Sequence, residues 1–269
     1  MKTRAITAFF FTIVMLGSMF LGAYVFTIFY LILSLAALME FMTMIRTAGI
    51  RPHRNIAMVT ATVIYSIIAG YHFLQFDTKF LLLLVPLIFS VFIGELYKWN
   101  KLPFANISYT FVGFMYITVP FCFFFSLGFL ADFDEYNFHL PLAFFLMLWA
   151  SDTGAYLFGS RFGKTKLFER HSPKKSWEGF LGGMFTSVVV AVILSLFFKE
   201  MNVVVWAGMA VLIASFGTMG DLVESMLKRS LDVKDSGSIL PGHGGFLDRF
   251  DGLFLSAPIV YAYLYLILR

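Results

Sequence analysis

Long apolar runs separated by short polar segments dominate the chain. A membrane-spanning helix needs about 20 mainly apolar residues. Residues 5–45 are too long for one span and fit two, with a break near Gly17 to Gly22. The further predicted spans are roughly 56–74, 80–97, 106–128, 139–158, 180–198, 203–219 and 252–268. The pattern predicts an all-α polytopic membrane protein with about nine transmembrane helices.

The positions of the basic residues predict an orientation in the membrane. Of the 20 Lys and Arg residues, all but Lys79, Lys199 and Arg269 fall on the side of the N-terminus. Basic residues concentrate on the cytoplasmic side of membrane proteins. We therefore expect a multi-pass protein of the cell inner (plasma) membrane, with the N-terminus in the cytoplasm and the C-terminus on the outer side. The apolar run at the N-terminus is longer than the apolar region of a signal peptide, which has about 7–15 residues, so we interpret it as a retained span.

Composition narrows the class of protein further. The chain is 59% hydrophobic and 13% charged, whereas soluble domains carry about 25% charged residues. The net charge of +4 is explained by membrane orientation, so no nucleic-acid partner is expected. The single cysteine, Cys122, excludes an intramolecular disulfide framework and a cysteine-built metal site.

Polar segments long enough for chemistry occur only on the predicted cytoplasmic face, at 159–179 and 220–251. We therefore divide the chain into an N-terminal region of about five spans, residues 1–138, and a C-terminal catalytic transmembrane region, residues 139–269. The motif loops of the second region are expected to face the cytoplasm.

The first candidate segment is SDTGAY, residues 151–156. At the helical rise, Asp152 would lie roughly 9 Å from the inner end of its span. An ionisable residue at that depth is a candidate for function. The alternative is a structural aspartate that hydrogen-bonds a neighbouring helix.

The second candidate is the inner loop RHSPKKSWEG, residues 170–179. Lys174, Lys175 and Ser176 stand beside a proline and a tryptophan, which favours a shaped segment. The alternative is a basic loop that contacts anionic lipid headgroups.

The third candidate segment runs from Gly220 to Asp251. If a helix continues through 221–229, four polar side chains form one stripe at i, i+3, i+4 and i+7. They are Asp221, Glu224, Ser225 and Lys228. Asp248 and Asp251 share a face if the last span begins near Phe246.

These carboxylates are oxygen ligands, which favour Mg²⁺ or another hard cation. Basic residues stand beside them, namely Lys228, Arg229, Lys234 and Arg249. Cations held by carboxylates beside fixed positive charges are typical of enzymes that catalyse phosphoryl or nucleotidyl transfer.

The turn before the last span carries further candidates. Gly244 and Gly245 would let backbone N–H groups approach an anion. His243 could contact a phosphate or could be structural, and the sequence leaves this open. Histidines are scarce near these motifs, which favours a nucleophile that is already an anion. A phosphate monoester, with a second pKa near 6, is such a nucleophile.

Residues 225–251 resemble the signature of phosphatidate cytidylyltransferases, also called CDP-diacylglycerol synthases. The matching residues are Ser225, Lys228, Arg229, Lys234, Asp235, Pro241, His243, Gly244, Gly245, Asp248, Arg249 and Asp251. The segments around 151–156 and 172–179 resemble further motifs of that family. The resemblance implies a multi-spanning enzyme that condenses CTP with phosphatidate to give CDP-diacylglycerol and pyrophosphate. It also implies a requirement for Mg²⁺ and a homodimer.

Roles follow from this resemblance as hypotheses. We expect Asp221, Asp248 and Asp251 to hold the cation, with a second cation such as K⁺ nearby. The remaining catalytic candidates are Lys228, Arg229 and Arg249. The substrate-binding candidates for CTP and inner-leaflet phosphatidate are Asp152, Lys174, Lys175, Ser176, Glu224, Ser225, Lys234, His243, Gly244 and Gly245. Glu40 and Glu95, near the inner ends of early spans, are expected to serve helix packing or the interface rather than to line the site.

Two other functions fit parts of the pattern. A CTP-dependent polyprenol kinase would also use CTP and a lipid, but it would release CDP. A cation or solute transporter would account for an intramembrane aspartate. The one-sided clustering of acidic residues, and the lack of two similar halves, weigh against transport.

Overall fold

The computed structural model describes residues 2–131, 135–170, 172–233, 236–237 and 244–269, with side chains from residue 9 onward. Within these residues, eight helical segments are long and apolar enough to cross a membrane. The helices are α1 (Lys2–Phe20), α2 (Ala23–Thr47), α3 (Arg54–Leu74), α4 (Leu84–Leu96, preceded by a 3₁₀ turn over Thr78–Leu83), α5 (Pro103–Gly113), α6 (Val119–Leu127, joined to α5 by a π turn over Phe114–Thr118), α7 (His139–Phe162), α8 (Trp177–Phe197), α9 (Val203–Ser230) and α10 (Leu247–Leu268). The predicted all-α polytopic fold is confirmed.

The predicted break between the first two spans lies at Gly22. The φ angle of this residue is 101°, a left-handed conformation that glycine adopts readily. The apolar part of α1 with described side chains, Phe9–Phe20, is shorter than a typical span. The other eight predicted spans correspond to the eight long helical segments.

Helix α9 is longer than the predicted span 203–219. It has 28 residues, so it is about 42 Å long at 1.5 Å per residue. A bilayer core is only about 30 Å thick. The extra length carries the polar stripe that begins at Asp221, as the sequence predicted.

A short β-hairpin connects α7 to α8 and was not predicted. Its strands are β1 (Lys166–Phe168) and β2 (Ser172–Ser176), and they pair antiparallel, with Lys166 opposite Ser176. β1 has only three residues, which is too short for a recognisable alternating pattern.

The chain forms two compact units. Unit 1 comprises Met1–Cys122 and Val233–Asp248, and unit 2 comprises Phe123–Asp232 and Arg249–Arg269. The sequence division at residue 138 concerned function rather than packing, and it stays a prediction.

Unit 1 contains a buried polar cluster between α3, α4 and α5. The imidazole Nε2 of His53 lies 2.6 Å from Glu95 Oε2, and Asn106 Nδ2 donates to Glu95 Oε1 at 2.7 Å. The backbone N–H of His53 donates to Thr110 Oγ1 at 2.9 Å. This network satisfies Glu95, which is 4% exposed, and it supports the predicted packing role of that residue.

Unit 2 relies on close contact between α7 and α8. A Cβ atom added at Gly183 would lie 2.6 Å from the Ser151 carbonyl oxygen, and one added at Gly154 would overlap Thr186 Oγ1. Small residues let helix backbones approach closely in membrane proteins. This contact fixes the position of Asp152, next to Ser151 on α7.

Candidate active site

A cavity of 480 Å³ lies within unit 2. It is bounded by α7, the β-hairpin, the start of α8 and the second half of α9. The lining residues are Asp152, Ala155, Tyr156, Gly159, Ser160, Leu167, Lys174, Lys175, Ser176, Gly179, Phe180, Thr218 and Asp221. The structure therefore gathers five of the predicted site residues, from all three candidate segments, around one space.

Asp152 lies farther from the end of its helix than the sequence suggested, because α7 continues past the predicted span. Helix α7 continues to Phe162, so ten further residues place Asp152 about 15 Å from that end. Its carboxylate interacts electrostatically with Lys175 and Asp221. The cavity wall thus carries an acidic side chain that interacts with an oppositely charged group on β2 and a like-charged group on α9.

Lys175 forms an ion pair with a carboxylate of the cavity, that of Asp221. Its ammonium nitrogen lies 2.5 Å from Asp221 Oδ2 and donates to the Thr218 carbonyl oxygen at 3.4 Å. Ser225 Oγ donates to the other oxygen of Asp221 at 3.3 Å. The motif loop and α9 are therefore joined through Asp221, at the cavity.

Asp251 is brought to the same region by close packing of α9 and α10. A Cβ atom at Gly220 would overlap the Asp251 carbonyl oxygen, and one at Gly252 would lie 3.6 Å from Gly217 Cα. The Asp251 carboxylate interacts electrostatically with Asp221, Asp152 and Lys175. It also accepts a hydrogen bond from the Gly252 N–H at 2.7 Å.

The donor chemistry of this region fits a magnesium ion. Among the described residues, no three His, Cys, Asp or Glu side chains are arranged to hold a metal. Mg²⁺ in enzymes is usually bound through one or two carboxylates, together with waters and substrate phosphates. Asp221 and Asp251 supply two such carboxylates on helices in direct contact, so the residues present fit the ion.

The polar stripe on α9 continues beyond Asp221. Glu224 is fully buried, and its Oε1 lies 3.4 Å from Lys228 Nζ. Arg229 is exposed near the end of α9, and Arg249 is exposed in the first turn of α10. Lys228 therefore has an acidic partner on the same stripe of α9 that the helical spacing predicted.

The hairpin that carries the two lysines is anchored at both ends. Ser176 caps α8 by accepting a hydrogen bond from the Gly179 N–H at 3.2 Å. The Glu178 carboxylate accepts from the N–H groups of Lys164 and Thr165, each at 3.1 Å. These contacts agree with the prediction of a shaped loop and position Lys174 and Lys175 at the cavity.

Other predicted site residues belong to unit 1. Asp248 Oδ2 accepts hydrogen bonds from the Gly245 N–H at 3.0 Å and from the Ser236 N–H at 3.3 Å. Gly244 has a φ of 80°, a conformation that favours glycine. Lys234 and His243 lie outside the described residues.

Sequence reasoning missed part of the cavity wall. Tyr156 follows Asp152 by four residues, so helical spacing could have placed both on one face. Phe180 follows the SPKKSWEG motif directly. Leu167 and the Thr218 carbonyl could not be predicted to line the cavity. Motif spacing identifies neither a short hairpin nor the position of a backbone oxygen.

Comparison with known proteins agrees with the chemistry of the cavity. The sequence profile of the Cytidylyltransferase family matches residues 2–267. The phosphatidate cytidylyltransferase of Staphylococcus aureus (strain COL) is 36% identical over 270 residues, covering 97% of each chain. Those of Staphylococcus haemolyticus and Staphylococcus saprophyticus are each 34% identical, again over 97% of each chain. The chain, with its cavity of paired carboxylates and lysines, belongs to the cytidylyltransferase family.

Proposed function

We propose that the protein is a phosphatidate cytidylyltransferase, which condenses CTP with phosphatidate to give CDP-diacylglycerol and pyrophosphate. The observation that carries this proposal is similarity to enzymes of that name over 97% of both chains. The cavity supports it, since acidic and basic side chains from separate segments line one space.

The reaction needs little proton transfer. A phosphate monoester has a second pKa near 6, so the phosphatidate phosphate is largely a dianion at neutral pH. One of its oxygens attacks the α-phosphorus of CTP and forms the new P–O bond. The bond between that phosphorus and the oxygen bridging to the β-phosphate breaks, and pyrophosphate leaves with the electron pair.

The residues of the chain would align and neutralise the two anionic substrates. Lys174 and Lys175 line the cavity and would pair with phosphate oxygens. Lys228, Arg229 and Arg249 would supply further positive charge. Asp152 would orient Lys175 through their electrostatic interaction. Alignment and charge neutralisation are the main protein contributions in phosphoryl transfer.

Asp221 and Asp251 would hold Mg²⁺ together with oxygens of the substrate phosphates. Bound there, the ion would supply neutralisation of the negative charge on the reacting phosphates. Asp248 is kept as a third candidate ligand and a K⁺ ion as a candidate second cation, both on the sequence prediction. Loss of turnover on chelation, with recovery on added Mg²⁺, tests the requirement.

The cellular setting follows from the lipid substrate. The chain is a multi-pass membrane protein, and we propose that its active site faces the cytoplasm across the inner (plasma) membrane. Phosphatidate would enter from the inner leaflet with its acyl chains still in the bilayer, and CTP would enter from the cytoplasm. We further propose a homodimer, which cross-linking of the purified protein in detergent can test.

One assay decides between the candidate functions. Purified protein is incubated with CTP, phosphatidate and Mg²⁺, and the products are identified by mass. CDP-diacylglycerol and pyrophosphate are expected. Release of CDP with a phosphorylated polyprenol would indicate a kinase instead. Ion flux into proteoliposomes without either product would indicate a transporter.

A further inference from the structure

A buried glutamate of unit 1, Glu40 on α2, contacts two described parts of the segment that ends at Asp248, namely Ser236 and residues 245–247. Its side chain is only 4% exposed, and it lies seven residues before the end of α2 at Thr47. Burying a carboxylate is unfavourable unless hydrogen-bond donors compensate it. The hydrogen-bond donors around Glu40 therefore indicate which part of the chain this carboxylate holds in position.

Those donors come from both ends of the segment. Ser236 Oγ donates to Glu40 Oε1. The backbone N–H of Phe246 donates to Oε2 at 2.9 Å, and that of Leu247 donates to Oε1 at 3.2 Å. Helix α10 begins at Leu247, so these two N–H groups lie at a helix start, where the backbone provides no intrahelical acceptor. A negative charge is favourable at that position.

The same segment holds Asp248. Its Oδ2 accepts from the Ser236 N–H at 3.3 Å and from the Gly245 N–H at 3.0 Å. It also lies 2.9 Å from Ser236 Oγ, whose single hydroxyl proton is donated to Glu40. A Cβ atom at Gly245 would overlap Glu40 Oε1. Ser236 and Gly245 thus connect the two carboxylates, and only glycine fits the gap between the backbone and Glu40.

We infer that Glu40 is a positioning residue for the signature segment. It fixes the first residues of α10, and with them Asp248, from a helix 206 residues away in the sequence. The effect on turnover rests on the proposed function, whereas the docking of Ser236 and residues 245–247 onto Glu40 of α2 does not.

The direct test is hydrogen exchange of the purified protein in detergent. In Glu40→Gln, an amide NH₂ group replaces one of the two carboxylate oxygens. One of the two backbone N–H groups, of Phe246 or Leu247, therefore loses its acceptor. The amides of Phe246 and Leu247 are expected to exchange at least tenfold faster, while the melting temperature stays close to that of the wild type. Unchanged exchange in the 244–250 peptide would overturn the inference.

Turnover provides the second measurement. In Glu40→Gln, kcat is expected to fall at least tenfold, while the KM for CTP changes less than threefold, because the residue aligns the segment without touching the nucleotide. An unchanged kcat in an active enzyme would also overturn the inference. If the wild type makes no CDP-diacylglycerol, the proposed function fails, and hydrogen exchange still tests the docking.

Two further variants keep the test specific. Glu200→Gln is the matched control, since this largely buried carboxylate instead accepts from Asn137 Nδ2 and contacts His139. It should leave exchange at 244–250 unchanged, and equal acceleration there would point to a general loss of stability and overturn the inference. If Glu40→Gln does not accumulate, Ser236→Ala removes the hydroxyl that contacts both carboxylates. It is expected to accelerate the same amides at least threefold, and no acceleration would overturn the inference.

Discussion

What each carboxylate in unit 2 can bind depends on the charged and polar side chains around it. Asp221 has Lys175 on one oxygen and Ser225 on the other, and Asp251 lies within the electrostatic reach of Asp221. Adjacent carboxylates repel each other unless a cation stands near them. Lys175 is such a cation on the chain itself, and a substrate-bound Mg²⁺ would be a second.

The role of Asp251 is tested by Asp251→Asn, which keeps the size of the side chain and removes its charge. Loss of a ligand to the cation should remove several kcal/mol of transition-state stabilisation, a fall of about 100-fold or more in kcat. Asp77→Asn is the control, because Asp77 is exposed and pairs only with exposed Lys79 among its described ion pairs. Near-normal turnover of Asp251→Asn would refute the ligand role.

The surroundings of His53 predict how the stability of the folded protein depends on pH. Burial lowers the pKa of its imidazole, and nearby Lys98 lowers this pKa further. Lys98 Nζ, which can only donate, lies 3.1 Å from Nδ1, so the neutral ring accepts there and donates to Glu95. Because the folded pKa lies below the unfolded value of about 6.5, the unfolded chain binds the proton more readily. This contribution to stability is full above about pH 6.5 and is lost as the pH falls.

The measurement is the melting temperature of the purified protein between pH 8 and pH 5. A decrease toward low pH is expected for the wild type. His53→Gln, which cannot titrate in this range, should show a smaller decrease. Identical pH profiles for the two proteins would show that His53 does not carry the effect.

At the scale of elements, the packing of α7 on α8 determines where the cavity lies. Glycines on both helices permit this approach, and Asp152 and the hairpin are placed by it. The hairpin itself is anchored through Ser176 and Glu178. The two lysines therefore reach the cavity from a rigid support rather than from a free loop.

The helix packing is tested by Gly154→Ala. The added methyl group would overlap Thr186, and such overpacking typically costs about 1–3 kcal/mol. A lower melting temperature and reduced turnover are expected. Gly17→Ala is the matched control, since nothing lies within 4 Å of a Cβ atom there and alanine favours a helix. Equal melting temperatures for the two variants would contradict the packing argument.

At the scale of the whole molecule, the membrane constrains the reaction. Both the polar end of α9 and the hairpin belong to segments that the positive-inside rule assigns to the cytoplasm. A lipid substrate whose acyl chains remain in the bilayer requires a site close to one membrane surface. The proposed function therefore depends on the predicted orientation.

Orientation is tested with cysteines introduced at Lys79 and Lys164, which are both exposed. The native Cys122 is buried and should give little background. A membrane-impermeant thiol reagent applied to intact cells is expected to label Lys79→Cys and not Lys164→Cys. Inverted vesicles should reverse the pattern. The opposite result would place the motif loops outside the cell and refute the cytoplasmic site.

Most of the fold could be predicted because spans are local features. Apolar runs of sufficient length predicted about nine spans, and eight of these correspond to long helical segments. The spacing of Asp221, Glu224 and Lys228 predicted the polar end of α9. The hairpin was beyond this reasoning, because its strands are too short for a periodic signal.

The sequence by itself determined the membrane class, the helices and the residue types available for chemistry, since hydropathy and motif spacing act over short stretches of chain. The tertiary structure decided which of these residues meet. It placed Lys175 against Asp221, joined Asp251 to them through packing at Gly220, and gave Glu40 a role in holding the start of α10. Contacts of this kind depend on how helices distant in sequence pack, and no local pattern encodes that packing.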